Sequence, residues 1–198
     1  NWANPNNSPW DSAWTVSTSN GTVDTQGGAG RLAFNDVAGA YARAQLTGVA
    51  PRSDLDITLT YQWSSTSARS FLDVWTRGSG GWANSYRPRN GYGVEVSSSS
   101  GSVSVLRSVN GAQTTLASVA GGQSVSTNPQ KIRLRVQGST IQVKTWLASQ
   151  PEPTAWRSTV TDSQVSADGQ LFLSVNRAGV NVGAKSVTID DLTVTAAN

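Results

Sequence analysis

The chain has 198 residues with 15 basic and 12 acidic side chains and no Cys, His or Met, a length that can bury one core without disulfide or metal staples. The missing Cys and His exclude a disulfide framework, thiolate chemistry, Ser-His-Asp catalysis and the commonest ligand of zinc, copper and haem iron, while oxygen-liganded calcium stays open. The net charge of +3 comes from twelve Arg and three Lys scattered singly, which argues against a nucleic-acid partner, and no stretch nears the roughly 20 apolar residues of a membrane-spanning helix.

Residues 1–14 (NWANPNNSPWDSAW) are irregular and Asn/Pro-rich, and they carry Trp2, Trp10 and Trp14. The expectation is an extended arm that staples its indoles onto the domain. Beyond it the hydrophobic period is two. Leu55, Ile57, Leu59 and Tyr61 alternate with Asp56, Thr58 and Thr60, as do Ile132, Leu134 and Val136 with Lys131, Arg133 and Arg135. Leu171, Leu173 and Val175 alternate with Phe172 and Ser174. This is the pattern of strands with one buried face. Asn110-Gly111 lies between two such runs as a hairpin turn should, and Gly138-Ser139 joins 132–136 to 141–145 in the same way. No helical stripe, internal repeat or linker interrupts the series. The prediction is one all-β domain over 1–198, a two-sheet antiparallel sandwich of about a dozen strands.

The stretch 75–93 (WTRGSGGWANSYRPRNGYG) gathers aromatic rings, guanidinium groups and glycines in what reads as one loop. Flat rings and planar multi-donor Arg suit a polar, weakly hydrophobic ligand. Just before it, Leu72 and Val74 read as core while Phe71, Asp73 and Trp75 face the other way. Just after it, Tyr92, Val94 and Val96 read as core, leaving Gly93, Glu95 and Ser97 opposite. If both strands line one groove, Asp73, Trp75 and Glu95 share its floor beside Arg77, Trp82, Tyr86, Arg87 and Arg89. The alternative is that Trp75 packs under the loop, Asp73 pairs with an Arg, and the loop's aromatics and guanidiniums satisfy one another. The Arg content favours an acidic or uronic ligand over a neutral one.

Further on, Trp146 and Trp156 bracket Pro151-Glu152-Pro153, and the expectation is a rigid corner whose Trp146 ring covers the stems of Arg133 and Arg135. Asp190-Asp191 breaks the alternation of the last strand. Val187, Ile189, Leu192 and Val194 all want the core, so one residue between Ile189 and Leu192 is extra, a β-bulge.

Stretch 131–156 (KIRLRVQGSTIQVKTWLASQPEPTAW), followed by Val160-Thr161-Asp162, 169–175 and VTIDDLTV at 187–194, resembles the concanavalin A-like, laminin-G-like jelly-roll domains of secreted actinobacterial proteins and actinobacteriophage minor tail proteins. The resemblance covers most of 30–195 and implies two antiparallel sheets with a concave face. By similarity to jelly-roll glucanases, Asp190 takes the place of a structural calcium ligand, with carbonyls near Gly30 and in the N-terminal arm as companions; the alternative is a bulge Asp that caps backbone N–H groups or pairs with an Arg. The glucanase carboxylate signature is absent, since Glu95 and Glu152 each stand alone.

Three readings follow. The first is a secreted or cell-surface, non-catalytic module that binds a polysaccharide on its concave face, as a monomer or as a domain of a larger protein. The second is a glycoside hydrolase or polysaccharide lyase using Asp73 and Glu95, or Tyr86 and Tyr92 with Arg. The third is a structural spacer. The step from fold to carbohydrate is analogy. The chain starts at Asn1 without a Met, as expected of a mature product or an excised domain.

Overall fold

A computed structural model describes residues 10–11, 13–67, 69–120, 125–177 and 183–197. Trp2 lies outside them, so the expectation for that indole does too. The described residues form fourteen strands and no helix, hence none long and apolar enough to cross a membrane. In chain order they are β1 (Trp14–Ser19), β2 (Gly21–Gln26), β3 (Ala29–Phe34), β4 (Tyr41–Leu46), β5 (Leu55–Trp63), β6 (Ser70–Trp82) and β7 (Pro88–Ser97). There follow β8 (Val103–Val109), β9 (Ala112–Val119), β10 (Gln130–Gln137), β11 (Thr140–Leu147), β12 (Ser158–Thr161), β13 (Gln170–Arg177) and β14 (Lys185–Ala196).

Two seven-stranded sheets stack face to face, in the orders β1-β4-β13-β6-β7-β8-β9 and β12-β11-β10-β5-β14-β3-β2. All named pairings are antiparallel. This is the predicted jelly-roll sandwich. The period-two residues make its core. Leu72, Val74, Val94, Val96, Leu173 and Val175 from the first sheet meet Ile57, Leu59, Ile132, Leu134, Val187 and Ile189 from the second. Removal of these apolar faces from water is the main drive to this stacking. The predicted turns hold: Asn110 and Gly111 have φ of 52° and 83°, the left-handed pair that a two-residue hairpin needs.

Trp10 of the N-terminal arm is buried in the core, donates from Nε1 to the carbonyl of Asp24 at 2.8 Å, and meets Trp14 edge-on at 4.9 Å between centroids. Around the Pro-Glu-Pro corner, Trp156 is an indole that lies over cationic side chains, while Trp146 pairs with Lys131 across β10 and β11. The Arg133 guanidinium and Lys144 Nζ sit 5.5 and 4.6 Å from the Trp156 ring centroid. Glu152 binds the same two cations, so the corner folds back onto β10 and β11.

Candidate functional site

The site is built on the outer face of the first sheet, where β13, β6 and β7 lie side by side. The predicted parity holds there. Asp73 sits directly opposite Glu95 across β6 and β7, and Trp75 opposite Gly93. On the other flank Ser174 is opposite Asp73, and Phe172 opposite Trp75.

What read as one long loop is mostly strand. β6 runs on to Trp82 and β7 begins at Pro88, with register shifts after Thr76 and Ser79 and positive φ at Arg77, Gly80 and Gly81. Only 83–87 loops freely, and its turn is closed from within. The Asn84 carboxamide oxygen accepts the N–H groups of Tyr86 and Arg87 at 3.1 and 3.0 Å, and Ala83 N–H donates to the Arg87 carbonyl at 2.9 Å. Such an Asx turn fixes the backbone locally.

This turn folds down over the face. The Tyr86 carbonyl accepts Trp75 Nε1–H at 3.1 Å and the Ser174 hydroxyl at 2.9 Å. From β4, Arg43 donates to the Asn84 carbonyl and the Ser17 hydroxyl, and its guanidinium lies 4.6 Å from the Trp82 ring centroid and 4.7 Å from that of Tyr41. Beneath the turn Trp75, Leu106 and Phe172 form a second apolar cluster outside the main core, with half-buried Trp82 edge-on to Phe172 at 4.8 Å. Gly93 is required here: a Cβ on it would stand 2.6 Å from the Trp75 ring.

Several site expectations change accordingly. Trp75 is fully buried; its ring supports the turn and is not presented for stacking. Arg77 is not on this face at all. Its φ of 51° reverses the strand's alternation and sends the side chain inward. There it is 2 % exposed and donates to the carbonyls of Ser53, Val165 and Gly138 and to Asp54. Arg87 is half-buried, and its guanidinium donates to the Gly111 carbonyl, the Tyr86 hydroxyl and Gln113. Arg89 is exposed on β7. Trp82, Tyr86, Arg87 and Arg89 thus rim the face, while Asp73 and Glu95 lie in its floor.

Asp73 is fully buried. Its Oδ2 accepts the Ser174 hydroxyl at 3.2 Å and Asn176 Nδ2–H at 2.8 Å, and its Oδ1 is buried with no hydrogen-bond partner. Burial, with the Glu95 carboxylate beside it, holds Asp73 well above the ordinary carboxylate range, against the pull of Ser174, Asn176 and Arg87. Burial raises Glu95 too, opposed by Arg69, whose guanidinium lies 4.9 Å from the Phe71 ring centroid. Ser174, Asn176 and Arg43 escaped sequence reasoning. The alternation of polar Ser174 and Asn176 with Leu173 and Val175 was the available signal; their neighbour β6 lies about a hundred residues away in sequence.

The last-strand bulge is where the count placed it. Asp190 pairs with Thr60 and Thr193 with Thr58, so two residues oppose one. Asp190 Oδ1 accepts the N–H of Asp191 at 2.9 Å, and Asp191 Oδ2 takes the Thr60 hydroxyl and lies 3.6 Å from Lys131 Nζ. Calcium asks for six to eight oxygens. The described residues gather no group of three His, Cys, Asp or Glu able to hold a metal, and the arm's expected carbonyl companions lie largely outside those residues. Asp190 therefore brings one carboxylate, half of it used by its own bulge. Asp190 also borders a recess of about 500 Å³ on the second sheet, beside Thr60, Gln62 and Thr188, and an apolar cleft of about 280 Å³ opens at Leu46, Val49 and Leu171. Neither touches Asp73 or Glu95.

No protein-family model matches the chain, and no curated protein matches it in sequence. Solved structures match in fold, among them a carbohydrate-binding module and carbohydrate recognition domains. The carbohydrate-binding module CBM66 from Bacillus subtilis is similar with a TM-score of 0.67 and 16% identity, covering 93% of this chain and 96% of that one. The Emp47p carbohydrate recognition domain gives 0.65 and 13% over 98% and 92%. The VIP36 exoplasmic/lumenal domain in its Ca2+/Man3GlcNAc-bound form gives 0.62 and 13% over 92% and 85%. At such identities the likeness is one of fold.

Proposed function

We propose that this chain is a non-catalytic, secreted or cell-surface module that binds a polysaccharide on the outer face of its first sheet. One observation carries the reading. The outer face of a sandwich sheet needs only solvated side chains, yet this one holds a second apolar cluster, a buried polar floor at Asp73, Ser174 and Asn176, and an internally braced turn. That is structure beyond what the sandwich requires, and it leaves Trp82, Tyr86 and Glu95 half-buried at the surface, where rings stack on sugar C–H faces and a carboxylate accepts hydroxyl hydrogen bonds. The fold shared with sugar-binding domains supports the same reading by analogy.

Burial of Asp73 disfavours the hydrolase alternative, because a general acid or nucleophile must touch its substrate. A calcium on Asp190 is a separate element of the reading, supported only by that one outward carboxylate. A melting temperature that rises with calcium in wild type and not in Asp190→Asn is the result it requires.

The test is affinity electrophoresis and calorimetry against soluble polysaccharides, using wild type, Tyr86→Ala and Arg43→Ala. Binding that weakens at least ten-fold in both variants, with melting temperatures kept within a few degrees, is expected. Binding untouched by both moves the site off this face, and no binding to any polymer ends the carbohydrate reading.

A further inference from the structure

We propose that Asp73 and Glu95 share one proton across β6 and β7 and together form a hydroxyl-binding subsite that takes uncharged sugar and rejects carboxylated sugar. The ligand half of this inference rests on the glycan-binding reading above; the proton half does not.

The two carboxyls are in direct register on one face of adjacent antiparallel strands, a placement that sets Cβ atoms about 4.5–5.5 Å apart. Two carboxylates so close, one fully buried, do not both ionise near neutrality. The hydrogen bonds say which holds the proton. Both neutral donors from β13, Ser174 and Asn176, go to Asp73 Oδ2. Oδ1 is left buried and without a donor. An orphan acceptor is costly to bury; a proton on Oδ1 turns it into a donor, and Glu95 is the acceptor across the strand pair. Glu95 is half-buried, so its remaining lone pairs face an arriving hydroxyl.

The charges around the pair decide the ligand class. Arg69, ahead of β6, is the cation that favours ionised Glu95. Arg87, from the turn, favours ionised Asp73 from a distance, but its donors are committed to Gly111, Tyr86 and Gln113. Arg43, from β4, is committed to Ser17 and Asn84. The flanking side chains of β13 and β8, Ser174, Asn176 and Ser104, carry no charge. A uronate would therefore meet the Glu95 charge with the Arg43 and Arg87 forks already spent, Arg69 already facing Glu95 and Arg89 out on the exposed rim, whereas a neutral hydroxyl donates to Glu95 without repulsion. This reverses the preference that the Arg content of the sequence suggested.

Two measurements on the full chain test it. Side-chain carboxyl carbon shifts of Asp73 and Glu95, followed by NMR from pH 3 to 10 without glycan, are expected to titrate in two coupled steps, with one proton retained through pH 7. In Asp73→Asn, whose amide imitates the protonated acid, Glu95 should titrate in a single step. Full ionisation of both carboxyls by pH 6 overturns the shared proton. Binding is then compared for mannan, pullulan and xyloglucan, each beside its TEMPO-oxidised, carboxylate-bearing form, with Glu95→Gln as control. At least ten-fold weaker binding of the oxidised polymers is expected, with Glu95→Gln weakening the neutral ones. Equal or tighter binding of the oxidised forms overturns the specificity. A retained proton with no binding to any polymer overturns the glycan reading and the subsite with it; two ionised carboxyls with neutral binding intact overturn the pair alone.

Discussion

Asp54 accepts Arg77 Nη2–H at 3.0 Å, and the same oxygen takes the N–H of Gly138 at 2.9 Å. Arg77 thereby ties the approach to β5 to the β10–β11 hairpin, and its remaining donors reach Ser53 and Val165. Its guanidinium also lies 5.7 Å from the Tyr92 ring centroid. A side chain from the first sheet is thus the clasp between several segments of the second.

Replacing Arg77 by Ala leaves three carbonyls without this donor and the Asp54 carboxylate with only the Gly138 N–H. Losing a buried, multiply bonded charge costs about 3–5 kcal/mol. At about 2–4 °C per kcal/mol for a chain of this size, the melting temperature should fall by about 6–20 °C. Arg77→Lys should recover only part of this, since an ammonium cannot span the same acceptors. If Arg77 instead served a ligand, Arg77→Ala would keep its melting temperature and lose only binding.

Trp75 and Gly93 make a paired prediction. A methyl group on Gly93 would stand 2.6 Å from the Trp75 ring, and a fully buried indole held beneath the 83–87 turn cannot give way as a flexible chain end would. Gly93→Ala should cost about 1–3 kcal/mol, shift Trp75 fluorescence toward the red, and weaken the proposed glycan binding by freeing the 83–87 turn from Trp75 Nε1. Trp75→Phe keeps most of the packing and loses that one hydrogen bond, so its binding loss should exceed its loss of stability. An unchanged melting temperature in Gly93→Ala would mean that the pair does not brace the face.

Much of this face was legible in the sequence, because side-chain parity depends only on period. Alternation alone placed Leu72, Val74, Tyr92, Val94 and Val96 inside and Asp73, Trp75 and Glu95 outside. The bulge near Asp190 was legible as one residue too many between apolar positions. Arg77 was not legible, since a single left-handed residue inverts the parity and no neighbouring side chain announces it. The loop was overdrawn because Gly80 and Gly81 sit inside an irregular strand pairing, where glycine composition reads as a turn. Ser174 and Asn176 reach Asp73 only through the long-range pairing of β13 with β6, which a local pattern does not encode.

The acid limb of stability should run through Asp162. Burial would raise this carboxyl, but bonds from the Tyr92 hydroxyl, the Gln164 N–H and Arg107 outweigh it and hold Asp162 below the ordinary range. Tyr92, pushed up to about 12 by burial and by Asp162, stays protonated and keeps donating. A carboxyl depressed in the folded state stabilises above its unfolded value of about 4 and loses that contribution as pH falls through the folded value. Melting temperature should therefore drop steeply below about pH 4, and Asp162→Asn should flatten that limb while lowering stability at pH 7. An equally steep limb in Asp162→Asn would assign the acid sensitivity elsewhere, with Glu152, also depressed by Lys144 and Arg133 against its burial, the next group to replace.

Asp73 predicts the opposite slope. Its carboxyl is raised in the folded state by burial and by Glu95, so at low pH it is protonated whether the chain is folded or not and contributes nothing. As pH climbs past the unfolded value of about 4, the unfolded chain releases this proton and the folded chain does not, and stability falls until the folded group ionises. Asp73→Asn removes the titration while keeping an oxygen for Ser174 and Asn176 and offering an N–H to Glu95. The variant should therefore melt above wild type at pH 7–8 and converge with it near pH 4. A gap that stays constant from pH 4 to 8 would show that Asn changes packing rather than protonation. A variant that melts lower throughout would mean that the native floor uses an ionised Asp73.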